Sequence, residues 1–191
     1  MKSLTVIKNA LKRKKSKQRG LQITQANNDL SENHINKANH NLQVMDDLEK
    51  LGHSDWVVVV AYYAMYHSAT SILAQIGLES KDHATTVAIL EYFFSKQLDK
   101  RLLEKFNELK NKKDTLEQLY LKDEFLDYLW KAKTLRETAQ YGTKTLIPEH
   151  KETLNHSKEF VQEIRILKNK ITQEHTKIIQ ETIKEIETKI N

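Results

Sequence analysis

The chain contains no cysteine, one proline and only four glycines among its 191 residues. Without cysteine it can form neither disulfide bonds nor thiolate metal sites, which is compatible with a reducing cytoplasm. So few helix breakers, in a sequence rich in Leu, Lys, Glu, Gln and Ala, predict an all-helical chain whose breakers mark helix ends. The first residues also lack the continuous apolar core of a secretion signal, so we predict a cytoplasmic protein.

Acidic side chains are absent from the first twenty residues, which hold eight lysines and arginines. The whole chain has 31 basic and 26 acidic side chains, so residues 21–191 hold 23 against 26, a net charge of −3. We predict a basic N-terminal arm over residues 1–21 that can bind phosphate backbones without reading sequence. Its candidate contacts are Lys12, Arg13, Lys14 and Lys15. A solvated helix end or a solubilising tail explains the same charge, and both interpretations stay open.

Residues 56–76 form the longest apolar run, with four consecutive valines and three tyrosines. A surface helix would show one narrow apolar stripe, whereas this run is apolar almost all round. It is therefore predicted to be the central, buried helix of a small domain. A membrane span is the weaker interpretation, since spanning needs about 20 predominantly apolar residues and Ser68, Thr70 and Gln75 interrupt the run.

The remaining helices follow from the breakers and from apolar residues at three- and four-residue steps. They are predicted over residues 24–51, from about Asp82, over residues 99–120, up to Gly142, and from Pro148 towards the C-terminus. We divide the chain into the arm, a helical bundle over residues 22–172 and a helical extension over residues 173–191. The apolar stripe of the last helix shifts near Glu174. We expect the extension to project or to pack on another chain, and a frayed tail stays open as the alternative.

Three motifs occur in order along the predicted bundle. The first is AYYAMYH at residues 61–67, the second is Gly77-Leu78 followed by Lys81-Asp82-His83, and the third runs from Arg136 to Gly142 as RETAQYG. They resemble the A-Y-Y-A-M-F-H, G…K-S-H and R-x-x-A-D-Y motifs of the HEPN domain family (higher eukaryotes and prokaryotes nucleotide-binding). The resemblance covers roughly residues 24–172 and is closest to the small stand-alone archaeal and bacterial members.

The resemblance implies an all-α, up-and-down helical bundle that is often a homodimer. Many HEPN domains are metal-independent ribonucleases of toxin–antitoxin or defence systems, commonly beside a minimal nucleotidyltransferase. Their catalytic signature is an arginine followed four to six residues later by a histidine. The histidine can take the proton of a ribose 2′-hydroxyl and the arginine can stabilise the charge on the phosphorane.

This sequence departs from that signature at the decisive place. No histidine follows Arg136 within the window, and Tyr141 occupies the position five residues later. A phenol is a poor base at neutral pH, so ribonuclease activity by the family's usual route is disfavoured. Arg136 and Tyr141 are the only catalytic candidates.

The predicted RNA- or nucleotide-binding residues are Arg136, Tyr141, His83, Lys81 and His67, together with the basic arm. Each has a plainer explanation. His67 can be a hydrogen-bonded core histidine, and Arg136 can pair with an acid such as Glu137. We predict no cofactor and no metal site, because the histidine pairs on predicted helices are six residues apart and share no face.

Two functions remain open. The first is binding of RNA or a nucleotide, within a toxin–antitoxin or defence system. The second is a non-catalytic interaction module that docks a nucleotidyltransferase or another partner. We predict a homodimer and no membrane association in either case.

Overall fold

The computed structural model describes residues 2–14, 20–80, 82–95, 116, 119–143 and 145–190. Within these ranges the chain forms seven helices and one antiparallel pair of strands, which confirms the all-α helical bundle. In chain order they are α1 Lys2–Lys14, β1 Leu21–Ile23, α2 Asn28–Lys50, α3 Ser54–Gln75, β2 Leu78–Ser80, α4 His83–Phe94, α5 Asp123–Tyr141, α6 His150–Lys170 and α7 Gln173–Thr188. The helix predicted over residues 99–120 lies almost wholly outside the described residues.

Helix α3 is the centre of the bundle, as its sequence predicts. Fourteen of its 22 residues are buried, and α2, α5 and α6 pack around it. Two of its buried hydroxyls are satisfied within the helix: Ser68 donates to the carbonyl oxygen of Met65, and Ser71 donates to that of Ser68. Among the described helices α3 alone is long and apolar enough to span a membrane. However, 72% of its apolar window is buried in the protein, which is typical of a core helix.

Side chains define the starts of α2 and α4. The Asn27 side chain accepts a hydrogen bond from the backbone of Leu30, and the Asp82 side chain accepts one from Ala84. Both caps satisfy amide groups that have no partner inside the helix. The helix start predicted at about Asp82 is thereby confirmed, and the cap fixes where His83 enters its helix.

The two short strands were not predicted. Ile23 pairs with Leu78 and Leu21 with Ser80, so β1 lies against β2 just after α3 ends. Three residues per strand are too few to show the alternation by which a strand is predicted. The strands tie the segment before α2 to the segment before α4.

The predicted basic arm is a packed helix rather than a tail, over the part of it that the structure describes. Ile7, Ala10 and Leu11 on α1 are buried in the main core, and α1 packs against α4. These apolar residues recur at helical spacing between the lysines, so one face of α1 is buried while the charged face is exposed. The prediction of a basic arm rested on charge alone and did not include this buried apolar face.

The predicted long final helix is helical over its length but is divided in two. Thr172 caps α7 through a capping box: its side chain accepts from the backbone of His175, whose Nδ1 accepts from the backbone of Thr172 at 2.9 Å. The chain turns there, and the isoleucines of α7 enter the main core. They are Ile178, Ile179, Ile183 and Ile186. The expectation that this segment projects or frays is therefore wrong, and contact with another chain stays a prediction.

Candidate nucleic-acid site around Arg136

The three sequence motifs meet on one side of α3. The tyrosines of the first motif contact His83, in the first turn of α4, and Arg136, near the end of α5. Tyr141, the last residue of α5, lies beside Arg136. The structure therefore brings together residues that are more than fifty positions apart in the chain.

The Arg136 guanidinium is held by phenols. Its Nη2 donates a hydrogen bond to the Tyr63 hydroxyl at 3.0 Å. Its Cζ lies 5.6 Å from the ring centroid of Tyr63, 5.6 Å from that of Tyr141 and 5.9 Å from that of Tyr62. Distances of this size allow a favourable interaction between a cation and the face of an aromatic ring.

No acid neutralises Arg136 among the described residues. Glu137, the acid that sequence proximity suggested, instead forms an ion pair with Lys133 at 3.0 Å. The Nε atom of Arg136 is buried and has no hydrogen-bond partner in the described part of the chain. A buried donor without an acceptor is costly, so Arg136 is left partly unsatisfied by the described part of the protein.

His83 is fixed by two tyrosines of α3. Its ring stacks on Tyr66 with centroids 3.9 Å apart, and its Nδ1 is hydrogen-bonded to the Tyr62 hydroxyl. Burial, with the neighbouring Tyr66 adding to it, raises the pKa of Tyr62 well above its ordinary value. The phenol therefore stays protonated at neutral pH and does not serve as a base.

His67 has a partner that sequence reasoning missed. Its Nδ1 lies 3.2 Å from Nδ1 of His34 on α2, so the two rings share a hydrogen bond. Burial, with smaller contributions from nearby cationic groups, lowers the pKa of His67 to about 4. Those groups are His34, Lys37 and His83. Only the packing of α2 on α3 brings the two histidines together, and no motif signals it.

We expect the stability of the protein to fall as pH falls below 6.5, with His67 as one cause. An unfolded histidine titrates near 6.5, whereas His67 in the folded chain titrates near 4, so between these values only the unfolded state gains the proton. Because the His67 side chain is only partly buried, we expect this effect to lower the free energy of unfolding by roughly 1–2 kcal/mol. Urea denaturation of wild type and His67→Gln at pH 7 and near pH 4.5 measures this effect.

The variant should lose stability at pH 7, where the hydrogen bond to His34 is missing, but should show a smaller pH dependence than wild type. His40→Gln is the control, since His40 is an exposed histidine on α2, the helix that carries His34. An equal pH dependence in wild type and His67→Gln would contradict the assignment.

A family model of the HEPN domain matches residues 31–171, about three quarters of the chain. The chain belongs to the HEPN domain family. The match begins in α2 and ends with α6, whereas α1 and α7 lie outside it. It therefore contains the three motifs and the cluster formed by Arg136, Tyr141, Tyr63 and His83. None of the curated proteins matches the chain.

This HEPN domain has no histidine after Arg136 at the family's spacing. Tyr141 stands in that position and is 73% exposed, with its ring beside the guanidinium. The imidazole of the cluster comes instead from α4, as His83, whereas His67 on α3 pairs with His34. An arginine and a histidine therefore lie in one cluster, but the histidine comes from a different helix than the signature predicts.

Two basic residues of α1, Arg13 and Lys12, differ in their surroundings. Arg13 donates to Asp82 at 2.7 Å and so fastens α1 to the start of α4. Burial alone would raise the pKa of Asp82, but hydrogen bonds from Thr85 and Arg13 lower it. Lys12 is exposed. The remaining predicted contacts, Lys15, Lys81 and the side chain of Lys14, lie outside the described residues.

The described residues contain no group of three or more histidines and acids that could hold a metal ion. They do contain a groove of about 540 Å³ between α5 and α6. Met65, Tyr128, Trp130, Leu135 and His156 are among the residues lining it. Arg136, Tyr141 and His83 do not line this groove, so it is separate from the motif residues.

Proposed function

We propose that this HEPN domain binds RNA or a nucleotide at the cluster of Arg136, Tyr141, Tyr63 and His83. One observation carries the proposal: the Arg136 guanidinium is held between phenol rings, and its buried Nε has no acceptor. A phosphate oxygen supplies that acceptor and the negative charge that no described acid supplies. The exposed face of Tyr141 beside it suits a nucleobase.

We further propose that the site binds RNA without cleaving it at neutral pH. General base catalysis needs a group whose pKa lies near the working pH. The pKa of Tyr62 is raised and that of His67 is lowered to about 4, so neither group is matched to the task. The third candidate, His83, has its Nδ1 engaged by the Tyr62 hydroxyl and its ring stacked on Tyr66. A role beside a nucleotidyltransferase, in a toxin–antitoxin or defence system, fits such a binding domain and belongs to the same proposal.

Arg136→Ala should weaken the binding of single-stranded RNA roughly tenfold or more. A hydrogen bond between a charged group and its partner contributes about 1.5–3 kcal/mol, and 1.4 kcal/mol corresponds to a factor of ten. The matched control is Arg165→Ala, since Arg165 on α6 is also half-buried and donates to a neutral oxygen, that of Asn39. Fluorescence anisotropy of labelled RNA at low salt measures both affinities.

The same samples, separated on a denaturing gel, report on cleavage, and we expect intact RNA from wild type and from both variants. Equal affinities for Arg136→Ala and Arg165→Ala would remove Arg136 from the site. RNA that wild type cuts and Arg136→Ala leaves whole would contradict the proposal of binding without cleavage.

Lys12→Gln should weaken RNA binding to a similar degree for all sequences and reduce the salt slope of the affinity by about one. Deleting α1 would test its charge poorly, because Ile7 and Leu11 would leave the core. Lys158→Gln is the control, since Lys158 already pairs with Asp46 at 2.7 Å. An unchanged slope for Lys12→Gln would show that the exposed face of α1 is not a phosphate contact.

One observation favours the second candidate, an interaction module. Leu51 and Leu146 are 70% and 72% exposed at one end of the bundle, where Ser54 donates to the carbonyl of Thr145. Exposed apolar residues at one place are typical of protein interfaces. The partners to test are a second copy of the chain and a nucleotidyltransferase encoded by an adjacent gene. Co-purification with such an enzyme, and the mass of the chain alone by light scattering, distinguish the two.

A further inference from the structure

Two large aromatic rings are left exposed, Tyr141 beside Arg136 and Trp56 at the start of α3. Trp56, in the first turn of α3, is 55% exposed, and Tyr141 is 73% exposed. The other tryptophan, Trp130, is only 36% exposed and its Nε1 donates to Glu91 at 2.8 Å. No hydrogen bond of Trp56 occurs in the described part of the chain, so its indole is available to a ligand.

Trp56 lies on the same face of α3 as Tyr63, the residue that holds Arg136. Seven residues are nearly two helical turns, so the two side chains differ in direction by only about 20° and lie about 10 Å apart along the axis. Trp56 therefore continues the aromatic surface beyond the guanidinium, towards the start of α3.

The segment containing Tyr141 runs beside these first turns of α3. Two residues before it, Ala139 packs with Val58 and Val59, and four residues after it, the carbonyl of Thr145 accepts from Ser54. Tyr141 and Trp56 thus belong to the same end of the HEPN domain. Between Tyr141 and Tyr63 lies the Arg136 guanidinium.

We infer that a single strand of RNA lies along this surface, with one base stacked on Trp56, another on Tyr141 and a phosphate at Arg136. The inference rests on the proposed function and specifies its substrate. Duplex RNA does not fit, because its base faces are already stacked on one another. Stacking on open rings accepts any base, so the site distinguishes single strands from duplexes rather than one sequence from another. RNA suits this surface better than a protein partner because it carries a phosphate for the guanidinium and, on the same strand, bases that stack on open aromatic rings.

The two tryptophans allow a direct test, because the chain has no others. Trp130→Phe leaves Trp56 as the only indole, and Trp56→Phe leaves Trp130. Each is titrated with an oligouridine of about ten nucleotides and with its duplex with oligoadenosine. We expect the single strand to quench the emission of Trp56 saturably, the duplex to leave it unchanged, and Trp130 to respond to neither.

Affinity gives the second measurement. Trp56→Ala should weaken binding of the single strand by about tenfold, since stacking contributes roughly 1–3 kcal/mol per base. Trp56→Phe, which keeps an aromatic ring, should retain most of the affinity. Trp130→Ala should bind as wild type does, and circular dichroism shows whether each variant is folded.

The outcomes separate the inference from the proposed function. If labelled RNA binds but Trp56 emission and the Trp56→Ala affinity do not change, the stacking inference is overturned and the proposed function stands. If no RNA binds to any folded chain at low salt, the proposed function fails as well. If Trp56→Ala leaves RNA binding intact and instead lowers the mass of the protein in solution, Trp56 belongs to an interface between copies.

Discussion

Replacing Gly77 with alanine should lower the free energy of unfolding by roughly 3 kcal/mol or more. Gly77 has a φ of +67°, a conformation that costs an L-residue about 1–2 kcal/mol. An added Cβ would also lie 2.6 Å from the carbonyl oxygen of Thr24 and 2.9 Å from the backbone nitrogen of Ala26, and would contact the Gln180 side chain. Backbone atoms cannot move aside as a side chain does, so overpacking adds about 1–3 kcal/mol.

Three segments of the chain meet at Gly77. The backbone of Thr24 donates to the Gly77 carbonyl at 2.9 Å, and that of Asn27 donates to the Ala74 carbonyl at 2.9 Å. The Gln180 side chain of α7 donates to the Ile76 carbonyl at 3.0 Å. The end of α3, the segment before α2 and the last helix therefore meet here, and only glycine lets them approach so closely.

Gly52→Ala is the matched control. Gly52 also has a positive φ, +79°, but a Cβ there would meet no atom within 4 Å. The Gly52→Ala variant should lose only the cost of the positive φ, about 1–2 kcal/mol of the free energy of unfolding. Chemical denaturation of the three proteins measures the difference, and equal losses for the two variants would show that the backbone at Gly77 moves aside easily.

Ile183→Ala should destabilise the protein by roughly 2–4 kcal/mol. Ile183 lies on α7, is fully buried and belongs to the main core that also contains Ile7 of α1. Truncating a buried isoleucine removes its transfer free energy and leaves a cavity that the surroundings fill only in part. The free energy of unfolding by urea is the quantity to measure.

Ile166→Ala provides the comparison, because Ile166 on α6 is 40% exposed and the same truncation there leaves no enclosed cavity. We expect it to lose less than about 1 kcal/mol. Similar small losses for both variants would mean that α7 contributes little to the core. The larger loss for Ile183→Ala would show that α1 and α7, outside the HEPN family match, stabilise the domain.

The sequence predicted the members of the candidate site better than their partners. Arg136, Tyr141 and His83 are in one cluster because the motifs lie on three helices that pack around one centre. Pairing with an acid was one explanation left open for Arg136, and phenols hold it instead. Which side chain an arginine meets depends on how α3 and α5 cross and rotate, and a sequence read along one helix does not contain that angle.

The pairing of His67 with His34 shows the same limit. Each histidine is half-buried on its own helix, and only the register between α2 and α3 sets their Nδ1 atoms 3.2 Å apart. Lys81 and Lys15 lie outside the described residues, so their predicted role in binding stays a prediction.

Local information in the sequence determined the helical class, the buried centre at α3, the start of a helix near Asp82 and the order of the family motifs. These follow from propensity, from hydrophobic spacing and from the chemistry of neighbouring residues. Only the tertiary structure decided that α1 and α7 are part of the core, that Gly77 is closely packed, and that phenols surround Arg136. Those features are contacts between segments far apart in the chain. They depend on which helices pack against each other, and several helices here have similar apolar patterns. A single sequence carries no local signal for that choice.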